Sequence, residues 1–172
     1  MGASSGVHPR VPSGHDGCAQ VPGDPLVRFE LSRLDLSRSE RLIYRLFEES
    51  RARWRALETD PGSQILFRQE GTDHFRSVVW VNPSRLTSAI DVRRRSPEAM
   101  ISHGHQLRGD EVNCAIHRYR VSGEGTSGQL RERVELRSTS RVATFYRKRT
   151  ERDAIRAAEA RLDELLREFR GA

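Results

Sequence analysis

At 172 residues the chain is long enough for one domain with a core of its own, without disulfide or metal staples. A hydrophobic fraction of 35% keeps that core modest, and the longest apolar runs, such as Val78 to Val81, are far too short to span a bilayer. The formal net charge is +6, and where that excess sits along the chain is more informative than its size.

Residues 1–25 are rich in Gly, Pro, Ser and His and follow no helical or strand period, so they are expected to form a disordered tail ahead of one α+β domain over 26–172. The N-terminus lacks the charged start and apolar stretch of a secretory signal. Met1-Gly2 opens a myristoylation pattern, but position 6 is Gly where that pattern needs Ser or Thr. A cytoplasmic protein with no membrane contact is expected. Of the two cysteines, Cys18 lies in the tail and Cys114 in an expected strand, so reduced thiols are expected rather than a disulfide framework.

Leu26 to Leu31 alternates apolar and polar residues as a half-buried strand does. Ser37 and Glu40 have the spacing of a capping box, and Leu42, Ile43, Leu46, Phe47, Trp54 and Leu57 then fall on one face of a helix that should stop near Thr59-Asp60-Pro61-Gly62. Ser63 to Glu70 and His74 to Val81 predict a hairpin. Asn82-Pro83 predicts a break followed by a short helix through Leu86, Ala89 and Ile90. Ser96-Pro97-Glu98 has the form of another helix start, with Pro at the first helical position. Region 82–110 is the least regular part of the pattern.

Glu111 to Val121, Leu130 to Leu136 and Arg141 to Arg147 predict three more strands, the first two joined through the glycine-rich stretch Gly123 to Gly128. The last helix should open at Thr150 and Asp153 and bury Ile155, Ala158, Leu162, Leu165, Leu166 and Phe169. The expected order is β-α-β-β-(variable)-β-β-β-α, a mostly antiparallel sheet with two long amphipathic helices on one face.

No catalytic or metal motif stands out, and no cofactor is expected. His103, His105, Cys114 and His117 have zinc-like residue types. On an extended strand, however, Cys114 and His117 point to opposite faces, which favours ordinary surface histidines. Cys114 is expected to be an inert buried thiol rather than a nucleophile. Gly123 to Gly128 suits a plain hairpin loop better than a phosphate cradle.

The charge pattern is more pointed. Residues 111–150 hold nine cations and four anions, most of the chain's excess. All basic residues but Lys148 are arginine, a bias that codon usage in a GC-rich genome explains more readily than selection for guanidinium groups. By the two-residue repeat Arg118 and Arg120 share a strand face, as do Arg131, Arg133 and Arg137. Beside Tyr119 they suggest a basic sheet surface suited to RNA, the alternative being a solvent face balanced by Glu132 and Glu135. Arg147, Lys148 and Arg149 sit just before an expected helix N-terminus, a place that holds phosphate readily unless Glu151 and Asp153 supply the anions. Arg93-Arg94-Arg95 is expected in a solvated loop.

The stretch Glu151-Arg-Asp-Ala-Ile-Arg-Ala-Ala-Glu-Ala-Arg-Leu-Asp-Glu-Leu-Leu166 resembles the terminal helix of the ribosome hibernation promoting factor family, whose β-α-β-β-β-α order and basic character are also similar. The resemblance implies binding to structured RNA or the small ribosomal subunit through basic residues, without catalysis. Two alternatives stand beside it. One is a helix-grip small-molecule-binding domain, in which a curved antiparallel sheet wraps a long C-terminal helix around an apolar cavity. The other is a protein–protein assembly module.

Overall fold

The structure, a computed structural model, describes residues 21, 23–36, 41–56, 63–81, 86–123 and 128–171. One seven-stranded antiparallel sheet runs in the spatial order β1-β7-β6-β5-β4-β3-β2. Its strands are β1 (Val27–Leu36), β2 (Ser63–Gly71), β3 (His74–Val81), β4 (Leu86–Ser96), β5 (Ala99–Arg108), β6 (Glu111–Ser122) and β7 (Gly128–Ser138). Helix α1 (Leu42–Ala56) follows β1, and a short α2 (Arg141–Phe145) leads into the long α3 (Arg147–Gly171). The α+β class and the antiparallel sheet are as expected from the sequence. The capping box at Ser37, the helix stop at Thr59 to Gly62 and the loop at 124–127 lie outside the described residues.

Both long helices pack on the same face. Leu42, Ile43, Leu46 and Phe47 of α1 and Ala158, Leu162, Leu165 and Leu166 of α3 share one core with Phe75, Val92, Met100, Tyr119, Val121 and Leu130 of the sheet. Aromatic contacts tie α1 down, with the Phe47 and Phe75 rings edge to face at 5.5 Å and Phe67 stacked on Phe75 at 5.5 Å.

Two expected elements are corrected. Region 82–110 holds no helix among its described residues; β4 and β5 form a hairpin instead. Alternation failed to reveal β4 because both its faces are covered: Ala89, Asp91 and Val92 are buried and Ile90 half-buried, so apolar residues run together. Pro97-Glu98 is its two-residue turn, where the Ser96 hydroxyl accepts from the Glu98 amide at 3.2 Å. The next turn, Gly109-Asp110, places Gly109 at φ +58°, the left-handed geometry that tight hairpins need.

The second correction concerns Arg141 to Arg147, which is helical. Ser140 caps α2, its hydroxyl accepting from the Ala143 amide at 3.3 Å, and this local bond outweighs the strand-like alternation of Val142 and Thr144. Arg147, Lys148 and Arg149 therefore lie in the first turn of α3 behind an existing helix rather than before a free N-terminus.

The opposite face of the sheet buries polar groups. Asp91, 1% exposed, faces His74 Nε2 at 3.1 Å and accepts from Arg93 Nε at 3.0 Å. Burial opposes ionisation of Asp91, but these hydrogen bonds outweigh it and hold the carboxyl below the usual carboxylate range. Neighbouring His103 and His105 are buried as well, which corrects their expected place at the surface. Cys114, opposite His105 in register, forms a disulfide whose second half lies outside the described residues; the expected reduced thiol is thereby corrected.

Burial pushes the His105 imidazolium below the ordinary histidine value of 6.5. The unfolded chain then binds the extra proton more readily than the folded one. Stability from a neutral His105 is thus complete above pH 6.5 and declines as pH falls from there toward the folded value. In urea unfolding between pH 7.5 and pH 5, His105→Asn should show a shallower loss of stability with acid than the wild type. Identical slopes would contradict this account.

Candidate functional site: a pocket between the sheet and its helices

Register sorts the helix-side face into cross-strand rows. The first row, Ser88, Gln106, Asn113 and Ser138, is polar. The second is Ile90, Gly104, Ala115 and Leu136, with its smallest members at the centre. Val92, Ser102, His117 and Val134 make the third row, and Arg94, Met100, Tyr119 and Glu132 the fourth.

The first two rows floor a pocket of about 370 Å³, bounded also by Trp54 of α1, Ala143 of α2 and Thr150 of α3. Small residues leave this space. A Cβ added at Gly104 would meet nothing closer than the carbonyl oxygens of Ala89 and Ala115, at 3.8 and 3.9 Å. In the fourth row the larger Met100 and Tyr119 join the core beneath the helices. The pocket is therefore a gap at one end of the core, with a polar row along one side.

Between gap and core stands a charged and hydrogen-bonded group. Glu132 is 3% exposed, faces His117 Nδ1 at 2.9 Å and accepts from the Tyr119 hydroxyl. Burial pushes that hydroxyl far above the ordinary phenol range, so Tyr119 remains a donor at every working pH. Arg161 of α3 and Arg53 of α1 bring positive charge to the same region, and Arg161 Nε is buried without a hydrogen-bond partner.

His117 follows Ala115 of the pocket floor on the same strand face, and its ring lies nearly parallel to that of Tyr119 at 6.3 Å. In the neutral ring, a carboxylate beside Nδ1 holds the proton there and leaves Nε2 as an acceptor. This part of the site can take a hydrogen bond or a proton from a bound molecule.

The sequence reading placed Tyr119 and Glu132 among the arginines of an exposed face and His117 at the surface. All three belong to the helix side. The missed signal was parity, since Tyr119 and Glu132 each sit one residue from an outward-facing arginine. His117 does point away from Cys114, as the alternation required. The other three zinc-like residues share the opposite face.

The expected arginine set divides in two. Arg118, Arg120, Arg131 and Arg133 come together on the outer face around a groove of about 710 Å³. Arg137 shares that face, but its guanidinium donates to the backbone carbonyls of Val21 and Gly23. Arg147 Nε donates to the Leu26 carbonyl at 2.9 Å, Arg149 lies 3.9 Å from Asp153, and Lys148 is exposed. Arg93 and Arg94 lie within β4 rather than in a loop, paired with Asp91 and Asp73.

A seven-stranded antiparallel sheet with a long C-terminal helix packed on one face, and a gap at one end of the core between them, decides the fold. It is a helix grip. Known structures agree at the level of the fold. The chain superposes on the di-domain ARO/CYC StfQ from the steffimycin biosynthetic pathway with a TM-score of 0.57 at 12% identity, over 82% of this chain and 48% of that one. The chain thus spans about half the length of that protein. It also superposes on a conserved protein from Geobacillus kaustophilus with a TM-score of 0.56 at 11% identity, over 83% of this chain and 94% of that one. No protein-family model and no curated protein matches the sequence.

These neighbours overturn the resemblance to ribosome hibernation promoting factors, and with it the expectation of an RNA-binding, ribosome-associated protein. Six consecutive strands separate the two long helices, where that family's order has three. The matching stretch of α3 is an amphipathic Ala/Leu/Arg pattern that any helix docked on a sheet can carry. No helix among the described residues is long and apolar enough to cross a membrane.

Proposed function

We propose that the protein binds a small, mainly apolar molecule carrying a hydroxyl group in the pocket between the sheet and its helices. The observation that carries this reading is the gap at Gly104 and Ala115, bounded by Trp54, with His117 the next residue on the same face of β6. Its volume of about 370 Å³ falls at the lower end of the roughly 300–1,000 Å³ typical of ligand sites. Apolar walls with a few placed polar groups are the usual composition of such sites. In the proposed complex the apolar body lies on Gly104 and Ala115 against Trp54, and His117, held by Glu132, receives the polar group. The likeness to StfQ is one of fold, and the binding reading rests on the geometry of this pocket.

The test uses the neutral fluorophore N-phenyl-1-naphthylamine as probe. Wild-type protein should bind about one equivalent, and Ala115→Phe, which fills the floor, should weaken binding on the order of tenfold or more while the fold persists. Unchanged binding in a folded Ala115→Phe variant would overturn the reading. The polar end has its own test. Wild-type protein should prefer 1-naphthol to 1-methoxynaphthalene, and His117→Ala should remove a preference of about tenfold, the worth of one hydrogen bond.

A further inference from the structure

The arginines of this sheet are mostly paired with carboxylates. Glu70 holds Arg68 and Arg76, Asp91 holds Arg93, and Asp73 holds Arg94. The outer face of β6 and β7 adds arginines that face one another. Register sets Arg118 directly opposite Arg133, and Arg120 directly opposite Arg131. Like charges facing each other across a ladder repel, so this block works against the sheet that carries it.

Arg95, at the end of β4, adds a fifth guanidinium to the same groove of about 710 Å³. Glu30 of β1 is the carboxylate among the lining residues; it lies 3.8 Å from Arg131 and 3.5 Å from Arg133, both largely exposed. Arg118 and Arg120 on the far side of the ladder are exposed and have no ion pair among the described residues. Five cations line this groove with one carboxylate. Glu135, which adjoins it beside Arg118 and Arg133, lies 3.3 Å from Arg28 and 4.0 Å from Arg137. The positive field left in the concave surface attracts anions beyond what scattered charges would.

We propose that this groove is a second binding site, separate from the pocket under the helices, for a small organic polyphosphate. Guanidinium forks fixed on adjacent strands suit the oxygens of neighbouring phosphate groups, which accept two parallel N–H donors at once. A ligand with two or three linked phosphates would bridge the two opposed arginine pairs and relieve their repulsion. The groove volume is of the size taken by nucleotide-sized molecules.

Inorganic tripolyphosphate is the probe, titrated calorimetrically into the full chain at about 100 mM salt, where weak surface attraction is screened. Binding of one equivalent is expected, weakened at least tenfold in Arg118→Gln/Arg120→Gln and unchanged in the control Arg152→Gln/Arg156→Gln on exposed positions of α3. Without anion the groove variant should melt no lower than wild type, because both opposed arginine pairs have been relieved and the contacts of Glu30 are kept. With tripolyphosphate only the wild type and the control should gain in melting temperature. Equal weakening in the groove and control variants would mean diffuse attraction and overturn the site. So would a lower melting temperature of the groove variant without anion. Affinity for polyuridylate that grows with chain length while tripolyphosphate fails to bind would replace the small-molecule site by a polymer surface.

Discussion

Leu162→Asp should destabilise the protein by about 4 kcal/mol, the largest effect expected of any single change on α3. Leu162 is 1% exposed and belongs to the core that α3 shares with α1 and the sheet. An aspartate there loses the transfer energy of the leucine and puts a carboxylate into the apolar core. Against a typical domain stability of about 5–15 kcal/mol, much of the fold's margin disappears. Glu159→Ala, at an exposed position of the same helix, should stay within about 0.5 kcal/mol. Urea unfolding followed by far-ultraviolet circular dichroism reads both. A Leu162→Asp midpoint equal to that of wild type would mean that α3 is not docked, and without a docked α3 there is no grip and no pocket.

Glu132→Ala should cost about 3 kcal/mol for a different reason. The carboxylate is almost wholly buried and serves two partners, the Tyr119 hydroxyl and His117 Nδ1. Removing it leaves the buried Tyr119 hydroxyl without its acceptor and His117 Nδ1, on a side chain 22% exposed, with water alone to replace it. A buried unsatisfied donor costs about 1–3 kcal/mol. Glu132→Gln keeps an acceptor oxygen in place and should recover a good part of the loss. The preference for 1-naphthol should also fall in Glu132→Ala, because His117 loses the group that orients it. A Glu132→Ala variant as stable as wild type would show that the charged group does not hold this end of the core together.

The helices and the outer strands were legible because each shows the core one face only. Leu42 to Phe47 and Ile155 to Leu166 carry the 3.6-residue period of a helix that hides one stripe, and the edge strand β1 alternates from Val27 to Ser32 as a half-buried strand should. β4 was hidden because Ala89 and Asp91 are buried on one side while Val92 is buried on the other. The short helix α2 was hidden by its cap, since Ser140 begins a turn that Val142 and Phe145 do not stabilise by burial.

At the site itself, the arginine block could be assembled from the two-residue repeat within each strand. The facing of Arg118 on Arg133 needed the register between strands, which a sequence does not state. The same holds for the pocket. Gly104 and Ala115 are ordinary small residues until pairing sets them side by side, next to His117 and its carboxylate.

The measurement that tests the binding pocket most directly is nuclear magnetic resonance of the labelled full chain with N-phenyl-1-naphthylamine bound. The account predicts nuclear Overhauser effects from the probe's ring protons to the methyl groups of Ala115 and Ala143 and to the indole of Trp54. Apolar side chains also stand exposed elsewhere, at Leu34, Val142 and Phe145, and offer an adventitious resting place for an oily probe. Contacts confined to those side chains, with the signals of Ala115 and Trp54 unmoved, would contradict it.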